Sequence, residues 1–277
     1  MSVSVVLPTY NRCRALRATI GDLFLLRGVA EVVVVDDGST DATPELLGSL
    51  REPALRPVRL ARNRGTPAAR NAGAATARSR WLLFAEDDCR FPPDYATVLL
   101  DEAHAQRAQV VGAPMVHPGP DEELGRAVQR ARAAARGPGR LDEVSGFPVT
   151  PTVTPMLPAP VLVERALVAP LGFDEDFGGN AYREETDFFL RAARTGARCV
   201  LTPRTYFWER ERFSGGSRSR VPGVDEYWRI RNNWRFLRRH AGWLEQHGYI
   251  DSPVREQARF AWRRMHELGC RAIDHAR

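Results

Sequence analysis

Three consecutive carboxylates, Glu86, Asp87 and Asp88, follow directly after the apolar run Trp81–Ala85. Adjacent acids repel one another, and a buried strand does not need them. A divalent cation would relieve this repulsion, because hard cations such as Mg²⁺ and Mn²⁺ take oxygen ligands. Mg²⁺ is commonly held by one or two carboxylates together with the phosphates of a substrate. The segment therefore predicts a metal–diphosphate site at the end of a strand. The alternative is a solvated acidic turn.

Two more polar loops come directly after predicted strands. The β-branched run 2–7 is followed by Pro8, Thr9, Tyr10 and Arg12, and four consecutive valines at 32–35 are followed by Asp36 and Asp37. The loops that follow parallel strands lie on one edge of a sheet and can converge on one ligand. Tyr10 offers a ring face to a base, and Asp37 can accept a hydrogen bond from a ring N–H or a ribose hydroxyl.

The remaining groups suit a nucleoside diphosphate. We expect Asp87 to reach a ribose, Asp88 to hold the metal, and Arg12 and Arg70 to approach the diphosphate. Backbone N–H groups near Gly65 could add to this, because a helix is predicted to begin there, with Thr66 as its N-cap and Pro67 as its first helical residue. Neither a GxGxxG pattern nor a P-loop pattern occurs, so a dinucleotide fold and a P-loop are not supported.

The elements that position these loops alternate between strand and helix over the first hundred residues. This order predicts an α/β fold with a mostly parallel sheet and helices on both faces. A charged helix is predicted over 121–136. The proline-rich stretch 145–160 is predicted to be a loop or short edge strands. From Val224 onward the pattern is helical, which predicts a C-terminal helical segment packed on the same body.

Five segments in order carry a resemblance to a known family. They are residues 6–12, 34–41, 63–73 and 84–88, and then 172–175 followed by 183–191. The first four resemble the nucleotide-sugar half of a family 2 glycosyltransferase with the GT-A fold, and the fifth resembles its acceptor-side segment. The likeness covers about residues 2 to 210. It implies a nucleotide-sugar half at 1–115, an acceptor-side half of the same GT-A domain at 116–221, and a helical segment at 222–277.

The resemblance implies an inverting transfer of a sugar from a nucleotide diphosphate sugar, expected to be UDP-linked. Residues matching Thr9, Tyr10, Arg12 and Asp37 hold the nucleotide, and Asp87 and Asp88 match a DXD-type motif whose second member takes Mg²⁺ or Mn²⁺. The family's carboxylate base aligns with Glu185. Since a glutamate here replaces an aspartate, Glu184 stays open as the base.

Two further acids have open roles. For Asp187 the alternative to a catalytic role is a structural one. It lies two residues after Glu185, which places it about 200° further around the helix. Many relatives carry a metal-approaching histidine after the last strand. Here only Glu209 could take that role.

Composition limits the other classes of function. The chain has 277 residues and a net charge of +6, and all 40 of its basic residues are arginine. No run approaches the roughly 20 apolar residues of a membrane span, and the N-terminus lacks the basic region of a signal peptide. The four cysteines form no CxxC pair, which predicts free thiols in a cytoplasmic protein.

Arginines concentrate between 210 and 239. They could form a solvated helix face, a surface for an acidic acceptor, carrier protein or anionic membrane, or a nucleic-acid surface. No nucleic-acid motif accompanies them, so we expect no nucleic-acid partner. The acceptor is expected to be a small molecule, a lipid-linked molecule or a carrier-bound intermediate. Two rival functions are a sugar-phosphate nucleotidyltransferase and a non-catalytic module that binds sugar nucleotides.

Overall fold

The computed structural model of the protein describes residues 2–119, 121–134, 141, 147–209, 216, 219, 221 and 223–275, with the backbone alone for 269–275. The helices in these residues are α1 Cys13–Phe24, α2 Thr43–Ser49, α3 Thr66–Thr76, α4 Tyr95–Ala105, α5 Leu124–Ala133, α6 Arg165–Leu171, α7 Glu184–Arg194, α8 Val224–Gln246 and α9 Pro253–His275. The strands are β1 Val3–Thr9, β2 Val29–Asp36, β3 Leu55–Arg59, β4 Trp81–Phe84, β5 Cys89–Arg90, β6 Val110–Gly112, β7 Met115–Val116, β8 Thr152–Val153, β9 Val161–Glu164, β10 Cys199–Leu201 and β11 Phe207–Glu209.

Eight strands form one twisted sheet in the order β3-β2-β1-β4-β9-β6-β10-β8. The first four of these run parallel, and β9 is antiparallel to both of its neighbours. Because β1 lies between β2 and β4, the loops after these three strands leave the same edge side by side. The mostly parallel α/β sheet predicted from the sequence is confirmed.

The valines of β2 show why this sheet needs helices on both faces. Val32 and Val34 pack in one apolar layer with α1 and α4, whereas Val33 and Val35 pack in the other with α3 and α7. Successive side chains of a strand point to opposite faces, so an unbroken valine run is stable only when both faces are covered. Each fully buried valine contributes about 1.5–3 kcal/mol to folding.

The N-cap of helix α3 lies one residue earlier than predicted. Gly65 is the N-cap, with φ of 89°, and Thr66 and Pro67 are the first two helical residues. The expected Thr66 cap is therefore wrong. The positive φ favours glycine at this position, because an L side chain there would be strained. Pro67 still falls in the first turn, where its missing N–H has no partner to lose.

The middle of the chain forms short secondary-structure elements. The proline-rich stretch supplies the edge strand β8, which pairs antiparallel with β10, in agreement with the predicted edge strands. The helix predicted at 121–136 appears as the shorter α5. A second sheet, β5-β11-β7, pairs Glu209 with Cys89 and so joins the end of the acceptor-side segment to the acidic loop after β4.

The C-terminal helices pack on the body through a third apolar cluster. Leu190 of α7 meets Phe236, Leu237 and Leu244 of α8 there. None of the described helices is long and apolar enough to cross a membrane. The division of the chain at residues 115 and 221 stays a prediction.

Candidate active site

Ion pairs connect an arginine in the loop after β1 to two aspartates in the loop after β4. The guanidinium of Arg12 lies 2.9 Å from Asp87 through Nη1 and 2.8 Å from Asp88 through Nη2. Thr9 donates a hydrogen bond of 2.8 Å from Oγ1 to the Asp87 carboxylate, and Thr19 donates one of 2.8 Å to the Asp87 carbonyl. Arg12 thus balances the two aspartates of the acidic loop, and its approach to a diphosphate stays a prediction.

Burial controls the protonation of Asp87. The removal of its carboxyl group from water raises its pKa to about 6, and the neighbouring Asp88 adds to this, although Arg12 and the Thr9 hydrogen bond oppose the shift. The pKa of Arg12 is also raised: burial lowers it, but the two aspartates outweigh that effect. This pair of strand-end loops therefore holds a concentrated and only partly balanced negative charge.

Asp37 links the loop after β2 to the start of α3. One of its carboxylate oxygens accepts a hydrogen bond from the backbone N–H of Arg64 and the other from that of Gly65, each 2.8 Å long. Burial raises the pKa of Asp37, while these two N–H groups act in the opposite sense. The carboxylate is fixed in one orientation toward the cavity that it lines, and each of its oxygens keeps a lone pair for a ligand.

A cavity of about 670 Å³ opens between these loops. This donor cavity is large enough for a nucleotide-sized ligand. Every residue predicted to bind the nucleotide sugar or the metal lines it, namely Pro8, Thr9, Tyr10, Arg12, Asp37, Gly65, Arg70, Asp87 and Asp88. Their roles stay predictions, but the predicted convergence of the three loops is present.

A second cavity, of about 640 Å³, adjoins the first and is lined by the predicted base residues Glu184 and Glu185. Arg70 and Glu86 line both cavities and so mark their boundary. We call this second space the outer cavity.

Arg70 is the fully buried cation of this boundary, with 1% of its side chain exposed. Its guanidinium forms ion pairs with Glu184 and Glu185 and lies 3.5 Å from Glu86. It was predicted to approach a diphosphate. That role stays a prediction, and in this structure Arg70 connects α3 to the first turn of α7. Sequence reasoning missed this, because the three partners come from segments far apart in the chain.

One guanidinium cannot balance three carboxylates. Burial raises the pKa of Glu184 to about 8, and Arg70 opposes this while Glu185 adds to it. Burial also raises the pKa of Glu86 well above its usual range, with Glu185 and Asp88 as repelling neighbours. The cluster therefore retains a proton near neutral pH, and a cation close to Glu86 would stabilise its ionised form.

One group of side chains among the described residues could hold a metal ion. The ligand atoms of Glu86, Asp88, Cys89 and Glu209 all lie within 4.8 Å of one another. Burial, together with the surrounding carboxylates, raises the pKa of the Cys89 thiol well above its usual range, and sulfur is a softer ligand than Mg²⁺ or Mn²⁺ prefers. Three carboxylates remain, and this oxygen donor set fits Mg²⁺ or Mn²⁺.

The sequence identified Asp88 for the metal and weighed Glu209, but it gave Glu86 no role. The sequence could have suggested Glu86 as a metal ligand, since Glu86 belongs to the same run of three acidic residues. What the sequence could not supply was the pairing of β11 with β5, which carries Glu209 to Cys89. Tyr182 and Arg229 also line both cavities and were not predicted.

Asp187 faces away from both cavities and is completely buried. It accepts hydrogen bonds from His240 at 2.9 Å, Arg239 at 2.9 Å and Arg191 at 2.7 Å. Burial alone would raise its pKa, but these partners outweigh burial and lower the pKa to about 2. The geometry supports the structural alternative for Asp187, because its carboxylate anchors α7 to α8.

Residues 4–157 match the family described as Glycosyl transferase family 2. The succinoglycan biosynthesis protein ExoO of Rhizobium meliloti (strain 1021) is 39% identical over 109 residues, which are 39% of this chain and 31% of that protein. The aligned part of the chain thus spans less than a third of that relative's length.

Two solved structures share the fold. Staphylococcus aureus TarS 1-349 in complex with UDP-GlcNAc has a TM-score of 0.61 at 20% identity, over 90% of this chain and 75% of that one. The mannosyltransferase PcManGT from Pyrobaculum calidifontis, in complex with GDP-Man and Mn²⁺, has a TM-score of 0.58 at 20% identity, over 88% and 64% of the two chains. At this identity the likeness shows the fold, which is GT-A.

Proposed function

Because this chain belongs to glycosyl transferase family 2, we propose that it moves a sugar from a UDP-linked donor to a hydroxyl or amine, with inversion at the anomeric carbon. The observation that carries this proposal is the junction of the two cavities at Arg70 and Glu86. A donor in the first cavity and an acceptor in the outer cavity would meet beside Glu185.

The donor cavity supplies groups for each part of a nucleotide sugar. Tyr10 offers its ring to the base, and Asp37 and Asp87 offer carboxylate oxygens to ring N–H and ribose hydroxyl groups. Arg12 lies between these groups and Asp88, so the same guanidinium can turn from the aspartates to a diphosphate. TarS binds UDP-GlcNAc and PcManGT binds GDP-Man on this fold, and of the two nucleotides the proposal takes uridine.

Glu185 is the proposed base. About a quarter of its side chain is exposed, at 26%, whereas Glu184 is 3% exposed, and both carboxylates pair with Arg70. The acceptor oxygen or nitrogen attacks the anomeric carbon from the face opposite the diphosphate, and its proton passes to the Glu185 carboxylate. The bond from the anomeric carbon to the diphosphate oxygen breaks, and UDP leaves with that electron pair.

Glu86, Asp88 and Glu209 would hold the Mg²⁺ or Mn²⁺ ion. When bound, the cation supplies a positive charge that stabilises the negative charge on a departing diphosphate. The Mn²⁺ bound with GDP-Man in PcManGT supports this assignment. Arg12 pairs with Asp88 at 2.8 Å and so holds this carboxylate in place.

The test combines UDP release with UDP binding. Wild-type protein should release UDP from at least one member of a panel of UDP-sugars in Mn²⁺ or Mg²⁺, and it should bind UDP more tightly with the cation than without it. Asp88→Asn should abolish both the release and the cation dependence of binding, because it removes one charged oxygen ligand from the site.

Asp101→Asn is the matched control, since Asp101 is an exposed carboxylate on α4 away from both cavities. It should behave as wild type. Cation-dependent UDP binding that survives in Asp88→Asn would contradict the metal site. Pyrophosphate release from UTP and a sugar phosphate, without UDP release from any sugar nucleotide, would indicate nucleotidyl transfer instead.

A further inference from the structure

Cys89 is the member of the metal cluster to which the proposed function gives no role. Its sulfur and the carboxylate oxygens of Glu86, Asp88 and Glu209 all lie within 4.8 Å of one another. The side chain is 1% exposed and also packs in the apolar layer beneath α1 and α4. A buried free cysteine usually acts as a small apolar group. That role explains the burial of Cys89, but it does not explain why three carboxylates surround the sulfur.

A tight turn and a strand pairing bring the four groups together. The backbone N–H of Cys89 donates a hydrogen bond of 3.3 Å to the carbonyl of Glu86, and this bond closes the turn that contains the two aspartates. Cys89 then begins β5, where it is paired with Glu209 of the antiparallel strand β11. Directly paired residues of antiparallel strands have their side chains on the same face, with Cβ atoms about 4.5–5.5 Å apart. The register of β5 and β11 therefore places the sulfur beside the Glu209 carboxylate.

The sulfur lies on the protein side of the cluster. Glu86, Asp88 and Glu209 line the donor cavity, whereas Cys89 lines neither cavity. The Cys89 thiol donates toward Oε2 of Glu86 over 3.8 Å, so it already points at a metal-ligating group. The carboxylates can thus present an ion to the cavity, and the sulfur can complete the ligand set from behind them.

A sulfur ligand changes which cations the set prefers. Mg²⁺ takes oxygen ligands, whereas Zn²⁺ is bound by cysteine sulfur together with carboxylate oxygen and is usually four-coordinate. Three carboxylates and one thiol make such a set of four. A thiol that coordinates a divalent ion loses its proton, because the charge of the ion stabilises the thiolate. The S–H bond then gives way to a bond from sulfur to the metal, and the proton leaves to solvent.

We propose that Cys89 is a fourth metal ligand, and that its sulfur strengthens the binding of Zn²⁺ without strengthening that of Mg²⁺. The inference rests on the proposed function, because it adds a ligand to the metal site proposed there. It also goes beyond that function, since Zn²⁺ would compete with Mg²⁺ or Mn²⁺ for the same carboxylates. The thiol of Cys89 would set the outcome of that competition.

Co²⁺ is the probe, because it takes the same ligands as Zn²⁺ and absorbs strongly in the near ultraviolet when sulfur is one of them. Carboxylate ligands do not produce this charge-transfer band. Co²⁺ titrated into reduced wild-type protein should produce the band and saturate it at a single ion per chain. Zn²⁺ added afterwards should remove the band by displacing Co²⁺, whereas the same concentration of Mg²⁺ should not.

Cys89→Ser should abolish the band and weaken Zn²⁺ binding, measured by calorimetry, by about tenfold or more, since the loss of even an outer-shell partner costs a metal site that much. Its Mg²⁺ affinity should stay close to that of wild type. Cys199→Ser is the matched control, because Cys199 is also a free cysteine, is similarly buried at 2% exposure and lines neither cavity. This control should keep both the band and the Zn²⁺ affinity. Asp88→Asn should raise the Co²⁺ concentration that the band requires, because the same ion is held by that carboxylate.

Failure of wild-type protein to produce the band at any Co²⁺ concentration would overturn the proposal, and this outcome needs no variant. A band that persists in Cys89→Ser, or one that Cys199→Ser loses equally while folded, would overturn it as well. Equal weakening of Zn²⁺ and Mg²⁺ binding in Cys89→Ser would refute the selectivity, since it would reflect damage to the whole site. UDP release in Mg²⁺ from a protein without the band would refute the sulfur ligand alone. The band without UDP release from any sugar nucleotide would support the ligand and contradict the proposed transfer.

Discussion

Replacing Glu185 by glutamine tests the assignment of the base most directly. Glutamine keeps the size of the side chain but cannot take a proton from the attacking acceptor. A general base typically contributes about 10²–10⁴-fold to a rate, which is roughly 3–5 kcal/mol of barrier. We therefore expect Glu185→Gln to lower kcat by that factor and to leave UDP affinity unchanged, since Glu185 does not line the donor cavity.

Glu184 provides the matched control within the same helical turn. Burial raises its pKa to about 8, so this carboxyl group holds a proton more readily than an exposed glutamate does. Glu184→Gln keeps the size of the side chain and its place beside Arg70. Turnover should stay near that of wild type, provided that the amide preserves the contact with the guanidinium.

The assay is UDP release from the best UDP-sugar of the panel, with the melting temperature as a check on folding. Wild-type turnover in Glu185→Gln would refute the reasoning. So would equal losses in the two variants with both proteins folded, because the structure distinguishes the two side chains by their exposure, 26% for Glu185 and 3% for Glu184. A loss confined to Glu184→Gln would move the base to that residue.

Two further predictions concern the framework of the site. Asp187 has a pKa of about 2 against an ordinary value of 3.8, a difference that corresponds to about 2 kcal/mol of stability above pH 4. A lowered pKa stabilises the folded state when the carboxylate is ionised, so this contribution should fall as the pH drops from about 4 to 2. Asp187→Asn should lower the free energy of unfolding, measured in urea at pH 7, by about 2–4 kcal/mol. The control Asp176→Asn, at a side chain that is 73% exposed, should change this free energy little. Equal effects of the two substitutions would contradict the anchoring role of Asp187. A Cβ at Gly73 would lie 2.4 Å from Val6 Cγ1, so Gly73→Ala should destabilise the protein by about 1–3 kcal/mol. The control Gly48→Ala should not destabilise it, because a Cβ at Gly48 has no atom within 4 Å. A Gly73→Ala variant that is more stable than wild type would contradict the close packing of α3 on the sheet.

The metal cluster illustrates where sequence reasoning stopped. The acids at 86–88 predicted a cation site, because three like charges after an apolar strand can be read from the local sequence. Glu209 could only be weighed, since its place depends on the pairing of two short strands, β5 and β11. A strand of two or three residues has too few side chains for its pattern to specify a partner, so packing of the whole fold decides the pairing.

Arg70 illustrates a different limit. Its type suggested phosphate binding, but its position on α3 buries it against the first turn of α7. Type and spacing say what a side chain can bind. They do not say which of several oppositely charged groups it will meet, because that depends on how helices far apart in the chain dock on the sheet.

The valine run at 32–35 and the polar residues that follow the predicted strands were enough to predict a parallel sheet whose ligand-binding loops share one edge. The second cavity, which α8 and α9 complete beside Glu185, could be identified only in the folded protein. The two differ in the range of the interactions that specify them. Burial patterns act along a few neighbouring residues, whereas a cavity is formed by surfaces that meet only after folding.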